Sequence, residues 1–137
     1  MKINIKNSAV AAVFFFGIAF FHSCKKEKDA TVPEISFKEG TGYVSGNISA
    51  TRSTIYTFGI IADKTDHDLR KLVISVSYDG KQFEEMENHM MLENEKNHYE
   101  SDFKAQTRNE NGSERWKFEV SDKDGNTAKE EINLSVQ

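Results

Sequence analysis

Apolar and polar positions along this chain follow two unlike patterns. From Ala9 to Phe21 the chain is apolar without a break. From Ile35 onward, apolar residues come in short bursts of period two, separated by Gly, Asp and Asn. Leu72, Ile74, Val76 and Tyr78 alternate with other positions, and Trp116, Phe118 and Val120 repeat the pattern. Side chains on a strand point to opposite faces in turn, so this spacing predicts half-buried β-strands. Asp79-Gly80 and Asp124-Gly125 supply residues that tolerate positive φ, as tight hairpin turns require. The second leads into Ala128, Ile132, Leu134 and Val136. Further strands are expected at Ile35–Phe37, Tyr43–Ile48 and Thr54–Ile61, with a weaker one around Tyr99, Phe103 and Ala105. Several short strands with turn signals between them predict an all-β sandwich.

Phe83 to Asn97 breaks the pattern. Phe83, Met86 and Met90 lie at helical spacing with Glu84, Glu85 and Glu87 crowded among them. The segment reads equally as a short helix or as an irregular loop over residues 84–97.

The first region carries different information. Lys2 and Lys6 precede the apolar run, no acid accompanies them, and the run is 13 residues long. A membrane-spanning helix needs roughly 20 apolar residues. A basic start, a short apolar centre and a small residue at its end predict a cleavable secretory signal. The run closes on Phe21-His-Ser23-Cys24, with the chain's one cysteine followed by Lys-Lys. This ending resembles the lipobox of Bacteroidetes-type lipoproteins, in which the cysteine becomes a lipidated mature N-terminus. Phe21 and His22 depart from the usual pattern at their places. The resemblance implies a signal peptide over 1–23, a lipidated tether over 24–34 and a β-sandwich domain over 35–137, anchored through Cys24. Two or more acyl chains give stable anchoring where one is marginal. With a single cysteine, no internal disulfide is expected.

A second resemblance sits at the other end. Phe118-Glu-Val-Ser-Asp-Lys-Asp-Gly-Asn-Thr-Ala128 followed by Ile132-Asn-Leu-Ser-Val136 is similar to the last hairpin of bacterial immunoglobulin-like domains. It implies an immunoglobulin-like antiparallel β-sandwich, of a kind used in envelopes for adhesion, glycan binding or spacing. The paired cysteines of antibody-type members are missing, so only the architecture carries over.

Charge narrows the partners. The chain has 18 basic and 22 acidic residues, and only Lys2 and Lys6 leave with the signal, so the exported part is six charges negative. Nucleic-acid binding runs on Lys and Arg and is not expected here. The partners expected are the membrane, through the anchor, and an envelope protein or glycan.

Asp122-Lys-Asp124-Gly-Asn126 places oxygens alternately, as calcium loops do, but the Gly and Glu positions of an EF-hand are not met. In a sandwich of this topology the loop with Asp63, Asp66, His67 and Asp68 shares one end with Asp122 and Asp124. Converging carboxylates repel unless a cation sits among them, which makes these residues candidates for a structural calcium; a solvated acidic rim is the alternative. The same topology turns this end toward the membrane. His89, Met90, Met91 and His98 form a candidate soft-metal set, against which methionines Met86, Met90 and Met91 as core filling must be weighed. Trp116 is expected in the core. No G-x-S-x-G elbow, H-E-x-x-H or cofactor motif stands in the chain, and no enzyme is expected. The expected role is a non-enzymatic binding or accessory module, lipid-anchored at the outer membrane on its periplasmic face or at the cell surface. A structural spacer and an acidic-pole calcium-binding domain are the alternatives.

Overall fold

The computed structural model describes residues 31–137. The apolar run, Cys24 and most of the expected tether lie outside the described residues. Eight strands make up the rest: β1 Glu34–Phe37, β2 Ile48–Ala50, β3 Ile55–Asp63, β4 Leu69–Tyr78, β5 Glu84–Met90, β6 His98–Gln106, β7 Gly112–Asp122 and β8 Thr127–Val136. One 3-10 turn, Glu93–Glu95, interrupts them.

They form two sheets, ordered β1-β3-β6 and β2-β8-β7-β4-β5. Every pairing is antiparallel except β2 with β8, which is parallel. This is the immunoglobulin arrangement. β3 and β6 take the places of strands B and E, β4, β7 and β8 those of C, F and G, and β5 that of C′. The N-terminal segment is shared: β1 joins one sheet, and β2 joins the other beside β8. Among the described residues no strand fills place D, so the smaller sheet stops at β6 and β5 overhangs it.

Alternation decides which side chains meet. Trp116, Phe118 and Val120 of β7 and Leu72, Ile74 and Val76 of β4 point inward and are buried. From the facing sheet come Phe58, Ile60 and Ala62. Phe58 is the hub, with ring centroids 5.2 Å from Phe118 and 5.8 Å from Trp116. Phe37 meets Phe118 edge-on at 5.0 Å, which brings β1 onto the same core. Offset and edge-on contacts of this kind add about 0.5–1.5 kcal/mol each beyond the area they bury. Trp116 is 2% exposed, as the period-two reading expects.

Some segments depart from the sequence reading. Residues 84–90 are a strand, neither helix nor loop. β5 is an edge strand with nearly every side chain exposed, so no apolar alternation marks it. Its helix-like spacing is accidental: Phe83 lies in the turn before it, and Met86 sits at a bulge in the pairing with β4. Met86 and Met90 are 50% and 54% exposed and fill no core gap. Tyr43–Ile48 is not a strand; Tyr43 makes one isolated bridge to Thr57, and the regular strand is the later Ile48–Ala50.

The ends of the sandwich differ in what they gather. The near pole holds residues 31–33, the β3–β4 loop, the β5–β6 connection and the β7–β8 hairpin. Thr65 donates to the Val32 carbonyl, Lys64 N–H to Asn97 and Lys123 N–H to Asp68. The far pole holds the β2–β3, β4–β5 and β6–β7 turns together with Gln137. Arg52 N–H donates there to Gln137, and Ser53 N–H to Arg108.

Candidate functional site

The two acidic loops do share the near pole. His67 Nε2 lies 3.1 Å from Asp124 Oδ2, and Lys123 N–H donates to the Asp68 carbonyl at 2.9 Å. Their carboxylates nevertheless turn to separate partners. Asp63 binds His98 Nδ1 at 2.7 Å, Asp66 accepts from the Thr31 hydroxyl at 2.6 Å, and Asp68 meets Lys64 at 3.2 Å. Asp122 is buried and shapes its own hairpin. It accepts the Asp124 and Asn126 N–H groups on one oxygen and the Asn126 amide on the other. Burial alone would raise its carboxyl; the donors from Asn126 and Asp124 outweigh that and hold it below the ordinary value. Lys64 likewise lowers Asp68. Calcium wants six to eight oxygens around one point. Among the described residues no three His, Cys, Asp or Glu side chains are grouped to hold a metal.

The soft-metal set is also dispersed. His89 faces inward, stacked on Tyr99 at 4.8 Å and 2.8 Å from Glu95. Met90, the next residue on β5, is paired with Lys71 and points the other way. His98 stands between Asp63 and Glu100, at 2.7 and 3.1 Å. Those two carboxylates, Asp63 foremost, raise its pKa above the ordinary histidine value.

The far pole carries a polar network that no sequence motif marks. Glu114 is fully buried. Its carboxylate accepts the Arg108 backbone N–H at 2.8 Å and the Trp116 indole N–H at 3.3 Å. The Arg108 Nε stands 3.5 Å away without a hydrogen bond, while the end of the guanidinium forks onto Asp79 at 2.8 and 3.1 Å. Asp79 also accepts Ser113 N–H, and Arg108 together with that bond lowers its carboxyl to about 2. Asp79 and Gly80 both have positive φ, as the Asp-Gly turn requires. A Cβ at Gly112 would collide with the Asp79 carboxylate and the Arg108 guanidinium. The network clamps the β4–β5 and β6–β7 turns together.

A cleft of approximately 520 Å³ opens where the chain crosses from one sheet to the other after β1. Tyr43, Asn47 and Ile48 form one wall, and Ile55 and Tyr56 the other. Tyr56 Oη accepts the Thr51 N–H, and Tyr43 Oη donates to Asp102. Both rings are thereby fixed, and Ile55 is 64% exposed. The volume lies within the usual range for small-molecule pockets. Gly40, Gly42 and Gly46 were its signal in the sequence, since glycines this dense do not suit a strand interior.

Fold and strand order thus define an immunoglobulin-type β-sandwich. No protein-family model matches the chain, and no curated protein is similar to it in sequence. Among solved structures it is similar to murine CRIg, at 10% sequence identity and a TM-score of 0.36, over 77% of this chain and 96% of that one.

Proposed function

We propose that this chain is a lipid-anchored protein of a bacterial cell envelope, held at the outer membrane on its periplasmic face or at the cell surface. Its sandwich serves as a non-enzymatic binding module. The observation that carries the reading is where the chain joins the domain. Residues 31–33 are fastened to the near pole, and β1 starts there, paired Glu34 to Asp63. A tether from Cys24 therefore turns that pole toward the bilayer and leaves the far end to meet partners. The cleft beside Ile55 and Tyr56 opens toward that end, at the start of β3. Its two fixed tyrosine rings and the Asn47 amide suit an apolar ring face with a polar rim, which is the chemistry of a sugar or a protein loop.

Intact-mass measurement of the membrane fraction tests the anchor. A diacylglyceryl-type increment on a chain starting at Cys24, lost in Cys24→Ala, is the expected result; an unmodified chain overturns it. Titration of purified protein with defined envelope glycans, followed by amide shifts, tests the cleft. Shifts should gather at Gly42–Ile48 and vanish in Ile55→Lys.

Exposed Met86 and Met90 on the overhanging edge favour a second reading, a spacer that packs on a partner through β5. A concentration-dependent mass in sedimentation would support it.

A further inference from the structure

The near pole is more than the place where the tether joins. Three consecutive residues at the start of β4 are bonded through their backbones to three other segments. The Asp68 carbonyl accepts Lys123 N–H at 2.9 Å, Leu69 N–H donates to Lys96 at 2.8 Å, and the Arg70 carbonyl accepts Met91 N–H at 2.9 Å. The hairpin, the β5–β6 connection and the end of β5 are thus held around Arg70. Two adjoining clefts result. One, of approximately 380 Å³, is lined by Arg70, Lys96, Lys123, Met90 and Met91. The other, of approximately 440 Å³, is lined by Arg70, Lys71, Asn88, Met90 and Ser121. Arg70 and Met90 form the shared ridge.

The charges here are only partly cancelled, Lys123 and Lys96 acting through space on Asp68. Asp68 lies in the first cleft but is held by Lys64 at 3.2 Å, and Glu93 is occupied by Lys96 at 2.5 Å. Among the described residues Arg70, Lys71 and Lys123 enter no ion pair, although the protein as a whole is acidic. Beside them Met90 and Leu92 are 54% and 60% exposed. Cations flanking exposed apolar side chains suit a surface with phosphates outside and acyl chains beneath.

We propose that these clefts seat the phosphate groups of anionic phospholipids, with Arg70, Lys71 and Lys123 as phosphate ligands and Met90 and Leu92 dipping toward the acyl boundary. The inference rests on the anchored reading for its geometry. Ten tether residues span at most about 33–36 Å, so the pole can reach the bilayer that holds Cys24. Screening confines the attraction to roughly 8 Å, and a tether supplies that proximity continuously. The domain would then lie against an anionic membrane and stand off a neutral one.

The test uses the full chain, purified from membranes and reconstituted into vesicles, with Asn94→Cys carrying an environment-sensitive fluorophore. Cys24 is capped, so the new thiol alone reacts. Vesicles of neutral phosphatidylcholine are compared with vesicles containing one-third phosphatidylglycerol. A several-fold brightening is expected on the anionic vesicles only, removed by high salt and by Arg70→Glu with Lys123→Glu. The parent's Trp116 emission should persist in that variant; Arg70→Gln, with a partial loss, serves if it does not. Equal brightness on both vesicles, or full brightness in the charge-reversed variant, overturns the proposal. Inorganic phosphate, compared with chloride at equal ionic strength, is the second probe. Amide shifts around Arg70 with phosphate, without brightening on anionic vesicles, would assign the clefts to a free anion and overturn the membrane seat. Flotation separates the two ideas. A chain that does not float with neutral vesicles refutes the anchor, and the clefts are then judged by anionic vesicles alone: flotation upholds them, its absence overturns them.

Discussion

Replacing Glu114 with Gln should unfold this domain far more readily than any exposed change. The carboxylate is fully buried and accepts from both Arg108 N–H and Trp116 Nε1. Gln keeps the volume but has one acceptor oxygen and one donor amide. Whichever way the amide turns, an N–H then faces an N–H. An unsatisfied buried donor costs about 1–3 kcal/mol. The Arg108 guanidinium also loses a counter-charge 3.5 Å away, although Asp79 continues to hold its outer end. Removing one partner of a buried pair costs about 3–5 kcal/mol, and the Arg108 side chain is 22% exposed, which places the total at the lower end. A loss of about 3 kcal/mol is therefore expected, against a total stability of about 5–15 kcal/mol for a small domain. With a urea slope of about 1.5 kcal/mol/M, the midpoint should fall by about 2 M. Trp116 reports the transition directly, since it is the only tryptophan and is buried against the mutated site. A midpoint shift below about 0.3 M would refute the reasoning, because the change would then fall within what surface substitutions do.

Three further outcomes follow from the structure. Asp79 has its folded pKa depressed to about 2, so its contribution is present above the ordinary value of 3.8 and is lost as pH falls toward 2. Asp79→Asn, which tolerates the same positive φ, should flatten that acid limb in urea melts taken between those two pH values. His98 has its pKa raised by Asp63 and Glu100, so its contribution is full below 6.5 and fades as pH rises through the folded value; imidazole titration by NMR should show His98 above the ordinary range, and Asp63→Asn should lower it part of the way, Glu100 keeping the remainder. Phe58→Ala empties the centre of the aromatic cluster and should cost about 3–5 kcal/mol, read by thermal melting, with a loss below about 1 kcal/mol speaking against Phe58 as the hub.

Much of the sandwich was legible because β7 and β8 are covered on one face only, and β4 carries the polar Ser75 and Ser77 where its other face is also buried. Their inward positions had to be apolar, and period two records that. β5 was illegible for the opposite reason: it overhangs the smaller sheet, so neither face selects apolar residues. Glu114 was legible in principle. Stepping back by two from Val120 through Phe118 and Trp116 arrives at it, and a carboxylate at an inward position requires buried donors. The meeting of the two acidic loops at one pole followed from strand order alone. Which partner each carboxylate took did not, since Lys64, His98 and Thr31 are brought to Asp68, Asp63 and Asp66 by rotamers and by chain segments that the spacing of acids does not encode.

The shared N-terminal segment has a mechanical consequence. Were the proposed tether loaded, the pull would pass first through Thr31 and Val32, bonded to Asp66 and Thr65, and then enter at Glu34 along the axis of β1. β1 is joined to β3 by a four-pair register from Glu34–Asp63 to Phe37–Ile60. Tension in that direction shears the pairs together instead of peeling them one by one. Should β1 yield, the load passes to β2, whose parallel pairing with β8 belongs to the other sheet. Drag on a partner held at the far end would thus meet two strand pairings in series before it reached the aromatic core.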